Sequence, residues 1–117
     1  MIADRAADLG RLVGQSDEYQ ALKRANDRLM EQTELRGMLE RLRTLQLSVA
    51  EQLDRGIEPT ADQQKEIDGL VGKVQADAAY QAVVAAQSNF DKLMMKVNEW
   101  ILDGIKQGSS SRIISLG

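Results

Sequence analysis

Three pairs of carboxylates sit at helical spacing in this sequence: Asp4 with Asp8, Glu31 with Glu34, and Asp62 with Glu66. Residues three or four apart share a helix face, and inward-facing acids of that kind hold paired metal ions in helical bundles. Those sites also use histidine, and this chain has neither histidine nor cysteine. It therefore lacks the commonest general base and transition-metal ligand, a thiolate nucleophile and any disulfide. The paired acids lie off the apolar stripes described below, so a solvated helix face is their expected setting. No glycine-rich phosphate loop, nucleophile elbow or zinc-ligand spacing occurs. The residues point away from an enzyme, and neither a metal nor a cofactor is expected.

Binding chemistry has better candidates. Lys23, Arg24, Arg28, Arg36, Arg41 and Arg43 could meet phosphate, although neighbouring acids dilute their field. Gln46 and Gln87 adjoin or interrupt apolar stripes, where a buried amide can fix the register of packed helices, or the side chain can simply sit at the rim, with ligand contact as the remaining reading. Asn98 beside Val97 invites the same reading. Met94, Met95 and Trp100 cluster late in the chain, and methionine and tryptophan suit adaptable contact surfaces. Met94 falls on a seam and reads as core. Met95 and Trp100 fall off it and read as interface.

The elements that must position these residues are helices. Ala, Leu, Gln, Glu, Lys and Arg dominate, and Pro59 is the only proline in 117 residues. Ile2, Ala6, Leu9 and Val13 mark a short amphipathic helix expected to end on a left-handed cap at Gly14. Ser16 can cap a second helix, with Asp17 and Glu18 at its positive end. Its stripe shifts phase near Glu31–Thr33, which predicts a kink or short turn. Leu35, Leu39, Leu42, Leu45, Val49 and Leu53 then form a near-heptad seam. Gly56 and Pro59 make the turn, and Thr60 with Gln63 fits a capping box. Ile67, Leu70, Val71 and Val74 follow, with an interruption expected at Asp77. The last segment carries Phe90, Met94, Val97, Ile101 and Ile105 and is expected to end near Gly108. Short connections make antiparallel neighbours, hence an all-α, up-down bundle of a short first helix and two long arms, each able to break once. The domain reading is a helical unit over 1–107 and a tail over 108–117. Ile113, Ile114 and Leu116 make that tail apolar, a feature suited to contact with another chain.

A formal charge of −3 with interspersed signs argues against a dedicated nucleic-acid module. No apolar run is long enough to span a membrane, and the first residues lack a signal-peptide plan, so the cytoplasm is the expected compartment.

The order of these signals resembles the YlbF/YmcA family of small bacterial helical proteins. It rests on Ala7-Asp8-Leu9-Gly10, Ser16-Asp17-Glu18-Tyr19, the Leu-rich arm ending near Leu45-Gln46, and the Gly/Pro turn. In the second arm it rests on Ala79-Tyr80, Phe90-Asp91-Lys92-Leu93 and Val97-Asn98-Glu99-Trp100-Ile101. The resemblance covers roughly residues 3–106. It implies a three-helix, partly open bundle that forms a homo-oligomer, a dimer or larger. It also implies a cell-fate regulator that joins a protein partner in assisting RNA processing. Complexes of the family carry iron–sulfur clusters through cysteines, which this chain lacks. The function expected is thus a non-catalytic, oligomeric regulatory protein. The alternatives are a direct RNA-binding helical module or a family member without an assigned activity.

Overall fold

The computed structural model describes the backbone of residues 1–116 and the side chains of residues 1–110. Five helices follow one another among the described residues: α1 (Ile2–Gly14), α2 (Asp17–Glu31), α3 (Thr33–Asp54), α4 (Ala61–Ala76) and α5 (Ala78–Leu116). The sequence predicts three helical elements with breakable arms. Both arms do break, and each break leaves a single non-helical residue, Gln32 or Asp77.

Local chemistry explains each boundary. Ser16 staples α1 to α2: its Oγ donates to the Val13 carbonyl at 2.6 Å and accepts from the Tyr19 amide at 3.1 Å. Gln20 Nε2 adds a bond to the Gly14 carbonyl at 2.8 Å. These side chains tie up the end of α1, and Gln15 closes it in a right-handed conformation. The left-handed cap predicted at Gly14 is therefore absent. Among the described residues only Gly56, at φ 75°, is left-handed. There it completes a Schellman turn, with Ile57 N–H bonded to the Gln52 carbonyl and Gly56 N–H to that of Leu53. Thr60 and Gln63 then form the reciprocal capping box that starts α4.

The helix expected to stop near Gly108 continues to Leu116. Glycine and serine weaken a helix, but without a proline each further residue still adds one hydrogen bond to an existing helix.

The main core lies between the two breaks. Leu29 and Leu35 flank Gln32, Val74 and Ala79 flank Asp77, and the four form one buried cluster. Met38, Leu39, Tyr80 and Val83 pack around it. From this crossing α2 runs antiparallel to α5 in one direction, and α3 runs antiparallel to α4 in the other. Leu22, Ala86 and Val97 extend the buried line on the first side, and Leu45 does so on the second.

The result is long and thin. Its radius of gyration is 21.7 Å, whereas a compact domain of this length would have about 13 Å. The extents are 70 × 37 × 20 Å.

Candidate protein-interaction surface

α5 is the longest element and borders most of the grooves. α2 covers one side of it. Tyr19 stands edge-on to Phe90, ring centroids 5.6 Å apart, which fixes the start of α2 against the middle of α5. Beside this contact an open groove of about 510 Å³ has Asp17 and Glu18 on one wall and Lys92, Lys96 and Trp100 on the other. The α1 stripe faces α5 across a second groove of about 280 Å³, with Leu9 and Val13 opposite Phe90, Met94 and Ile101. That groove leads to an almost wholly apolar depression at Met1, Ile2 and Ile101. On the outer side of α5, Val84 and Met95 border a shallow shelf of about 560 Å³.

The residues read as interface fall as follows. Met95 is 63 % exposed and Trp100 60 % exposed, the latter on the wall of the groove beside α2. The side chains of Ile113, Ile114 and Leu116 lie outside the described residues.

The residues read as core or register divide. Leu35 and Val97 are buried, while Leu39, Leu42, Val49 and Phe90 are half-buried. Leu53, Met94 and Ile101 are exposed, contrary to the core reading. Leu53 lies in the last turn of α3, at the far tip of the arm. Met94 and Ile101 look across the open α1 groove rather than into a packed layer. Gln46 and Gln87 are also exposed, so neither amide is a buried register device. Gln87 Nε2 instead donates to Asp91 Oδ1 at 2.9 Å along the same helix face.

The buried alanines Ala79 and Ala86 were not foreseen as core; they let α2 and α4 approach α5 closely. Leu102, 50 % exposed, was missed on the surface, because a single leucine among Ile101, Asp103 and Gly104 carries no stripe of its own.

The carboxylate pairs form no reactive cluster. Asp8 pairs with Arg11 at 3.0 Å, and Glu66 accepts two bonds from Arg41 at 2.8 and 3.3 Å. The Arg41 hydrogen bond holds the Glu66 carboxyl below its usual range; slight desolvation opposes that and the guanidinium charge adds to it. The same pair raises Arg41. Arg36 is partly committed as well, donating to the Met30 carbonyl across the first break. Lys23, Arg24, Arg28 and Arg43 remain exposed on the first arm. No three ligating side chains converge among the described residues. With no cysteine or histidine either, the donor set does not fit an iron–sulfur cluster. No helix among the described residues is long and apolar enough to cross a membrane.

These features define a helical scaffold with open apolar grooves. Residues 2–106 match the family profile described as control of competence regulator ComK, YlbF/YmcA. The chain belongs to that family. It is also similar to proteins named UPF0342 protein in several bacteria. One from Leuconostoc mesenteroides is 21 % identical over 109 residues, covering 93 % of each chain. One from Staphylococcus saprophyticus is 25 % identical over 99 residues, covering 85 % of this chain and 87 % of the relative. One from Bacillus cereus is 21 % identical over 106 residues, covering 91 % and 90 %. The family description is regulatory and names no reaction.

Proposed function

We propose that this protein is a non-catalytic, oligomeric interaction factor that regulates through contact in the cytoplasm, as an accessory to RNA processing. The five helices act in this reading as three elements, a short α1 and two bent arms, forming a partly open up-down bundle. The observation that carries the reading is surface area. The chain exposes 9081 Å², whereas a compact protein of 13.0 kDa exposes about 6,300 Å². Exposed Val84, Met95 and Trp100 on α5 lie within that excess, and large exposed apolar surfaces are where partners bind. A stable homo-oligomer would cover part of it and leave the rest for a protein partner. The ion-paired carboxylates support the non-catalytic half of the reading.

Light scattering on the purified chain tests the first claim: a mass of two copies or more is expected at micromolar concentration. A strict monomer would defeat it. Met95→Glu and Trp100→Glu are expected to weaken assembly or partner capture without loss of helix content. Direct RNA binding through Lys23, Arg24 and Arg28 is the competing reading. It requires salt-sensitive binding of RNA, and an absence of binding at low salt removes it.

A further inference from the structure

Both helices that flank α5 stop at the same level. The α2 groove closes at Asp17, Glu18 and Trp100, and the α1 groove closes at Met1, Ile2 and Ile101. Past that level, from Leu102 to Ser110, α5 has no neighbouring helix among the described residues, and every residue from 98 to 110 is exposed. At about 1.5 Å per residue this bare stretch is roughly 13 Å long. It is a poor helix to leave alone in water, because Gly104, Gly108, Ser109 and Ser110 all favour other conformations.

Its surface is sharply divided. At 100° per residue, Glu99, Asp103 and Lys106 fall on one narrow back stripe. The remaining face is uncharged and includes Trp100, Ile101, Leu102 and Ile105, each between 46 % and 60 % exposed. Gly104 and Gly108 lie at its centre beside Ile101 and Ile105. A Cβ at either glycine would touch nothing among the described residues, so their packing does not require glycine there.

We propose that residues 98–110 of α5 pair face to face with the same segment of a second copy, backbones approaching at Gly104 and Gly108. This inference rests on the oligomeric reading above and names the surface that would serve it. A second copy fits because the face is its own complement. Two copies meeting here bury apolar side chains and bring no like charges together. Nucleic acid would need cations on this face, and an anionic membrane would need them along its borders; the single lysine, Lys106, lies on the back stripe with Glu99 and Asp103.

The test is sedimentation equilibrium on the full chain, wild type against Gly104→Leu/Gly108→Leu, with circular dichroism of both. Leucine favours helix over glycine, and each added side chain enters open space, so helix content should hold or rise. The same bulk should block the close approach and raise the dimer dissociation constant at least tenfold. That opposition of signs is something a purely structural role for the segment would not produce. Ile101→Asp/Ile105→Asp should weaken the dimer in the same way by a different route. A wild-type mass of two copies left unchanged in both variants overturns this inference and leaves the oligomeric reading standing. A wild-type mass of 13.0 kDa at every concentration overturns both.

Discussion

The two arms break at the same level of the molecule but by different means. At Asp77 the break is made by the residue itself: its Oδ1 accepts from the Ala79 amide at 2.8 Å and the Tyr80 amide at 3.1 Å. An aspartate in an extended conformation can satisfy the first free amides of the next helix, and it sits at their positive end. At Gln32 no side chain caps α3, although the backbone is just as extended, with φ −89° and ψ 97°. What holds that break is burial on either side, with Leu29 and Leu35 turned into the shared core. Both breaks carry one more device in common. A long side chain four residues past the break reaches the carbonyl two residues before it, Arg36 to Met30 and Gln81 to Gln75. One break is thus local chemistry, and the other is packing.

Removing the packing should do the most harm. Leu35 is only 2 % exposed, and Leu35→Ala should cost about 2–5 kcal/mol through lost burial and a residual cavity. Thermal unfolding with a denaturant series measures it. A loss below about 1 kcal/mol would mean that the core between the breaks collapses readily around the gap and is not what bends the first arm. Asp77→Ala should come next, at about 1 kcal/mol, the usual cost of a lost N-cap. Asp77→Asn, which retains an acceptor, should recover most of it. Gln32→Ala should stay within about 0.5 kcal/mol, since no cap bond is lost. If Gln32→Ala costs as much as Asp77→Ala, the contrast between the breaks fails.

This contrast also explains what was legible from sequence. Caps are written in one or two residues, so Ser16, the Thr60–Gln63 box and the Asp77 interruption could be read directly. The break at Gln32 showed only as a phase shift in the leucine stripe, because its cause lies in tertiary packing. The seams predicted that Leu35 and Val97 are buried but overstated Leu53, Met94 and Ile101. A heptad pattern shows which face of a helix is apolar, not whether the same chain supplies the cover. In an elongated hairpin of helices much of that face has no cover. The alanines at 79 and 86 were silent for the opposite reason: their burial depends on how closely neighbouring helices approach, which no periodicity encodes.

The smallest effect separates the α3–α4 half from the α2–α5 half by pH. Arg41 and Glu66 join α3 to α4 beyond the core, where Leu45 is the only buried hydrophobic residue of that half besides those around the breaks. The fold lowers the Glu66 carboxyl, so its contribution is complete above the pKa it has in the unfolded chain. It fades as the pH falls through the lower folded value. Arg41 is raised from an already high value and keeps its charge throughout the working range. Glu66→Gln should therefore be slightly less stable than wild type near neutrality and indistinguishable from it in strong acid. Both side chains are about half exposed, so added salt should narrow the neutral-pH gap as well. Hydrogen exchange locates the effect. Amides of α3 and α4 nearest the turn should lose protection in acid before those of α2 and α5. Uniform loss along the molecule would show that the α3–α4 half does not open separately from the core at the breaks.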